Sequence, residues 1–361
     1  MTDRLFVGTR KGLFTLDRSD GRWAPGDISF LGDPVTAVLS DARDGTLYAA
    51  LNLGHFGVKM RRSHDGGGTW TEHAVPSYPP QPPDAPADPA WKLAQVWCLE
   101  PGGPDEPGVL WAGTIPGGLF RSTDAGDSWM LVESLWNHPA RTEWSGGGYD
   151  APGIHSICVD PRDSRHVTVA VSTGGVWQSR DAGASWTLCA TGMQAHYMPP
   201  ERRDDPLVQD VHRIVACRSQ PDTLWAQHHN GVYRSTDGAA SWQEVSSPAL
   251  SCFGFAVVVD PNDADTAWFV PAVKDENRIP VGARLAATRT RDGGRSFEVL
   301  SEGLPSPAYD LVYRHGLDID RTGQRLAFGS TTGGLWLSEN RGERWQCVSA
   351  HLPPIYAVRF A

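Results

Sequence analysis

What the chain lacks narrows its class first. None of its six cysteines (Cys98, Cys158, Cys189, Cys217, Cys252, Cys347) stands in a CxxC pair, so neither a disulfide frame nor a zinc knuckle is indicated. Most lie in apolar strand-like runs such as SICVD and RIVACR, where a small buried hydrophobe is expected. No stretch approaches the roughly 18 apolar residues that span a bilayer, and the start MTDRLFVGTRKG lacks the charged-then-apolar run of a secretory leader. Basic residues are outnumbered 32 to 42, and a net charge of -10 argues against nucleic acid as a partner. These absences predict a soluble, acidic, cytoplasmic protein with no membrane and no nucleic-acid partner.

What is abundant points to β-structure. With 39 Gly, 28 Pro and 15 Trp in 361 residues, many turns and many aromatic wedges between sheets are expected. One string, RSTDAGDSW at 121–129, recurs with small changes: Ser63 to Trp70, Ser179 to Trp186, Ser235 to Trp242 and Thr290 to Phe297, with weaker copies ending at Trp23 and Trp345. Its pattern, Ser/Thr-x-Asp-x-Gly-x-Ser/Thr-aromatic, predicts a tight turn between antiparallel strands. The Asp accepts hydrogen bonds from its own loop, the Gly supplies positive φ, and the aromatic closes over apolar neighbours. Asp65, Asp124, Asp181, Asp237 and Asp292 are therefore read as structural rather than catalytic or calcium-binding.

The pattern resembles the Asp-box, or BNR repeat, of sialidase-like propellers, and the resemblance runs over nearly the whole chain. It implies a β-propeller of the kind labelled a BNR-repeat glycosyl hydrolase. The same repeat occurs in xyloglucan hydrolases, sortilin-type receptors and a photosystem II assembly factor, so an enzyme, a receptor and a chaperone all remain open.

Seven box aromatics at intervals of about 47 to 59 residues fit seven blades plus insertions. Each box follows a strand–turn–strand run, as in LFVGTRKGLFTL or VTVAVSTGGVWQ, and a further apolar strand ending in Asp-Pro often precedes it. The expected fold is one all-β domain over 1–361, a seven-bladed β-propeller. The chain opens without a first strand and closes on the orphan strand Ile355 to Phe360. Blade one is therefore predicted to combine about 4–30 with 354–360, leaving no unpaired edge. Insertions at 71–94, 130–153, 187–210 and 271–284 all belong to the connections of one propeller face, which predicts a pocket on that rim.

Two constellations fall there. His155 and His212 occupy the same place at the start of neighbouring blades' first strands, and His228 and His229 lie in the adjoining link. His155, His212 and His229 are the expected ligands of a transition metal (zinc, manganese, iron or copper), with Asp150 or Asp210 orienting them. The competing reading has the imidazoles filling the channel, since no HxH or HExxH spacing demands a metal. The second constellation is aromatic and cationic. Trp144, Tyr149 and Tyr197 with Arg10, His55 and Arg278 suit a sugar or anionic small molecule, with Tyr149, Tyr197 and His228 the candidate proton-transfer groups. Packing of the insertions onto the blades is the alternative role for the Trp residues.

Arg278 lies in Arg-Ile-Pro, a string that resembles the one introducing a substrate-binding arginine in sialidases, though here it falls in the sixth unit rather than near the start. The first expectation is a propeller binding a small polar, anionic or carbohydrate ligand, in its enzymatic form a hydrolase, metal-assisted or sialidase-like, or a lyase. The alternative is a protein-interaction scaffold presenting the proline-rich strip from Pro76 to Pro89.

Overall fold

The computed structural model describes residues 3–85, 89–147, 149–246 and 248–361. Residues 86–88 of the proline-rich strip lie outside them. Among the described residues the strands form seven four-stranded sheets, six of them built of strands consecutive in the chain, so the fold is a seven-bladed β-propeller. Among the described residues no helix is long and apolar enough to cross a membrane.

The first sheet departs from simple chain order as the sequence requires. Ile355–Phe360 pairs antiparallel with Arg4–Thr9, setting Leu5 opposite Phe360 and Val7 opposite Val358, and Gly12–Ser19 and Arg22–Ser29 complete the sheet. Leu5, Phe6 and Val7 are all buried, so both faces of Arg4–Thr9 are packed, and a one-residue slip would exchange the side chains of the two faces. Asp20 and Gly21, both at positive φ between the paired Ser19 and Arg22, make a two-residue hairpin turn of the primed type. The weak first copy of the repeat is thus an ordinary tight hairpin.

The stronger copies build the expected turn. Asp124 accepts from Ser122 Oγ at 2.7 Å, from the Ser128 N–H at 2.9 Å and from Ser128 Oγ at 2.6 Å. Gly126, at φ 88°, donates its N–H to Ser122 Oγ at 2.9 Å. Asp65, Asp181 and Asp292 repeat the set, and Asn340 takes the role in the last copy by accepting from Arg344 N–H at 3.0 Å. These hydrogen bonds hold the carboxyls of Asp124, Asp181 and Asp292 at about 2.

The contacts group into two compact units. In the unit of residues 1–35, 212–238 and 242–361, Trp268, Phe328, Trp336 and Trp345 fill one core and Trp225 and Phe269 another. In the unit of 36–211 and 239–241, Trp111, Trp144, Trp177 and Trp186 share a core with Val167, Val169 and Val171. Burying one indole removes roughly 200 Å² from water, about 5 kcal/mol, so tryptophan between sheets is the main stabilising device. The cysteines correct one expectation. Cys98, Cys189 and Cys217 are buried, but Cys158 is only partly so, and Cys252 and Cys347 are exposed because they sit on a connection and on an outer fourth strand.

Candidate functional site

In the second unit the predicted aromatics separate by role. Trp144, on the connection 132–153, is 6% exposed and stands edge-on to Trp177 with ring centres 5.7 Å apart. It is a core residue rather than a ligand platform, because the insertion needs its own apolar anchor against the blade. Tyr149 is half exposed and packs edge-on against Trp97 at 5.2 Å. His155, second residue of Ile154–Asp160, is fully buried, with its ring 5.4 Å from Trp97 and Nδ1 2.9 Å from Ser156 Oγ. Tyr197 exposes part of its ring but turns its hydroxyl inward to donate to the Val208 carbonyl. Burial, then the Asp210 charge, pushes that phenol well above its ordinary range, so Tyr197 keeps its proton at neutral pH. His55 is exposed and stacks on Phe56, and Asp150 is exposed.

In the first unit a tighter group forms on the fifth and sixth sheets. His212 is the second residue of Val211–Ala216, and Phe255 the second of Gly254–Asp260. Their rings stack at 4.4 Å with planes 16° apart. His229 follows Leu224–His228 and sets its ring 5.4 Å from His212, and Phe253 stands edge-on to both imidazoles at 5.6 and 5.7 Å. His212 Nδ1 lies 2.6 Å from the Gly254 carbonyl oxygen. A carbonyl only accepts, so Nδ1 carries the proton and the ring's lone pair is on Nε2.

Two guanidiniums meet the same rings. Arg278, on the connection after Asp263–Pro271, and Arg314, on the connection before Leu317–Ile319, each place their central carbon 5.2 Å from the Phe255 ring centre. Arg278 is exposed and donates to Asp275 Oδ1 through Nε at 2.9 Å, whereas Arg314 is buried. Also in this unit, burial pushes the Asp318 carboxyl up against the pull of Arg359 and Arg213, while the Phe360 N–H donates to it at 2.8 Å.

Asp210 lies near the end of the second unit, immediately before Val211–Ala216. The predicted ligand His155 belongs to the second unit, with the contacts given above. His228 is fully buried, with Nδ1 accepting from the Asn230 N–H at 3.1 Å and its ring edge-on to Tyr233. It organises the turn rather than joining the group. Arg10 is exposed, its N–H donating to the Pro354 carbonyl at 2.9 Å. Sequence reasoning missed Phe253, Phe255 and Arg314. A signal for Phe255 existed: it stands five residues before Asp260, as His155 stands five before Asp160.

No protein-family model matches the chain. It is 25% identical over 274 residues to the oligoxyloglucan-reducing end-specific xyloglucanase of Emericella nidulans, an alignment covering 68% of this chain and 31% of that protein. The chain spans less than a third of the length of the curated relatives it matches first. Among solved structures it is similar to an ancestral GH74 enzyme, with TM-score 0.61 and 18% identity over 86% of this chain and 38% of the other. A protein from Lactobacillus plantarum matches over 100% of both chains with TM-score 0.64 and 11% identity. At these identities the structural likenesses speak to the fold alone, and the fold is the propeller.

Proposed function

We propose that the chain is a carbohydrate-binding propeller of glycoside-hydrolase type, its recurrent turns being Asp-boxes that serve as scaffold. Its ligand would be a short, polar or anionic oligosaccharide held at the group around Phe255. The observation that carries this reading is the pairing of two guanidiniums, Arg278 and Arg314, over a ring that stacks on an imidazole. Planar guanidiniums take a sugar's oxygens or a carboxylate, and the buried Phe255 ring serves to hold both in place. The substrate class follows the relative from Emericella nidulans, an oligoxyloglucan-reducing end-specific xyloglucanase. Hydrolysis at this place would add water across a glycosidic bond, with the exposed Arg278 and the partly buried His229 meeting the ligand first.

The test is calorimetric titration with xyloglucan oligosaccharides and with uronate-containing oligosaccharides, alongside an assay of reducing-end release. Binding of one class is expected, weakened at least about tenfold, or roughly 1.4 kcal/mol, by Arg278→Ala at unchanged melting temperature. A wild-type chain that binds neither class, or an Arg278→Ala variant that binds as well as wild type, refutes the reading.

A further inference from the structure

We infer that Arg141 and the tryptophan and tyrosine rings around it form a binding site for a small molecule bearing an oxyanion, a carboxylate or a phosphate. The site belongs to the second unit and the Phe255 group to the first, so the inference goes beyond the carbohydrate reading and does not depend on it.

The sequence places the guanidinium by local means. The helical turn Glu133–Trp136 is followed by a second turn, Pro139–Glu143. Its entry is set by the fixed φ of Pro139 and by His138, whose Nδ1 accepts the Ala140 N–H at 3.2 Å. The chain doubles back there, and Arg141 lays its guanidinium over the Trp136 ring with the central carbon 3.8 Å from the ring centre. Its Nε–H donates to the Trp136 carbonyl. Two rings from the connection 74–94 pack against Trp136, Tyr78 at 4.8 Å and Trp91 edge-on at 5.1 Å. Tyr78 is fixed in turn, its hydroxyl donating to the Pro116 carbonyl and its ring edge-on to Phe120 at 5.1 Å.

What this arrangement lacks is a counter-charge. Arg43, Arg61, Arg62 and Arg121, partly buried like Arg141, pair with Asp41, Glu72, Asp127 and Glu106. Arg141 has no carboxylate partner among the described residues, and burial pulls its guanidinium below the ordinary value against the influence of Tyr78. An arginine carries five N–H donors and keeps its charge at neutral pH. The Nε–H is spent on the Trp136 carbonyl, whereas those on Nη1 and Nη2 have no acceptor among the described residues. The buried Trp136 indole N–H has none among them either. Lys92, exposed and next to Trp91 in the chain, adds positive charge with no ion pair among the described residues.

A guanidinium withdrawn from water without a carboxylate is costly, and the contact with an aromatic face offsets only part of that cost. Its end-on fork matches two oxygens of a carboxylate or phosphate, which supply the missing charge through a bidentate pair. With Trp136 under the guanidinium and Trp91 against Trp136, the surroundings suit an anionic group carried on a flat apolar body. If Arg141 serves only to pin the turn onto Trp136, no anion binds.

The experiment titrates the full chain by calorimetry at low ionic strength with benzoate, with phenyl phosphate and with benzyl alcohol as the neutral analogue. One-to-one binding of benzoate or phenyl phosphate is expected with a Kd of about 1 mM or tighter, and benzyl alcohol should bind at least about tenfold more weakly. The tighter of the two anions identifies the oxyanion. Arg141→Gln keeps much of the stem and a donor but removes the charge, and should weaken binding at least about tenfold. Arg165→Ala, which removes an exposed arginine of the same unit, should bind as wild type does. Should Arg141→Gln melt too low to titrate, Arg141→Lys keeps the charge without the planar fork and is expected to bind several-fold more weakly than wild type. A wild-type chain that binds neither anion overturns the inference, as does benzyl alcohol binding as tightly as benzoate. So does a folded Arg141→Gln or Arg141→Lys variant with wild-type affinity, or an equal loss in Arg165→Ala.

Discussion

At the scale of the residue, the recurrent turn carboxylates and Trp144 show how one side chain settles between structure and function. The carboxyls of Asp124, Asp181 and Asp292 sit at about 2 because hydroxyl and backbone N–H groups donate to the charged form in the folded turn. An unfolded Asp titrates near 3.9. Their folded values are depressed, so their contribution is complete above about pH 4 and is lost as the pH falls from there toward 2. Urea midpoints measured from pH 6 down to pH 2.5 should therefore fall steeply below pH 4, and Asp124→Asn should flatten part of that fall. An unchanged slope in the variant would mean that the turn carboxylate does not couple to folding. Trp144 is bound to the opposite expectation from a ligand platform. Removing a ring buried against Trp177 should cost about 3–5 kcal/mol and lower the melting temperature by roughly 10 °C, with oligosaccharide affinity kept in the folded protein. Normal melting with lost binding would return Trp144 to the site.

At the scale of the element, what places the first-unit group is the shared position of side chains on equivalent strands. His155, His212 and Phe255 are each the second residue of a first strand, and each is nearly or fully buried. The sheets repeat the position, but the residue there decides the chemistry: imidazole in the fourth and fifth sheets, phenyl in the sixth. Connections then add what strands cannot. The segment after Pro271 supplies Arg278, held by Asp275, and the segment before Leu317 supplies Arg314. The C-terminal element has a different task. Ile355 and Val358 are fully buried, and Phe360 stands edge-on to Trp23. Deleting 354–361 removes roughly 6 kcal/mol of apolar burial and bares the edge of Arg4–Thr9. A melting temperature lower by more than about 10 °C, with aggregation on heating, is expected from calorimetry and light scattering. A truncated chain as stable as the full one would show that the last strand is dispensable.

At the scale of the whole molecule, the sequence by itself determined the seven-fold repetition, the position of each tight turn and the pairing of the last strand with the first. Those features are encoded locally: a turn such as Ser122 to Trp129 satisfies its own hydrogen bonds within a few residues, and a strand announces itself by alternation. Only the tertiary structure decided which side chains meet. Trp144 turns into a core, Phe255 stacks on His212, and Phe253, Phe255 and Arg314 gather with Arg278 across segments tens of residues apart. The reason is physical. Hydrogen bonds in a turn and the period of a strand act over a handful of residues, whereas ring stacking and the aim of an imidazole depend on neighbours brought close only by packed sheets. His212 marks the divide, since its place on a strand is legible in the sequence and its protonated nitrogen is set by a carbonyl 42 residues away.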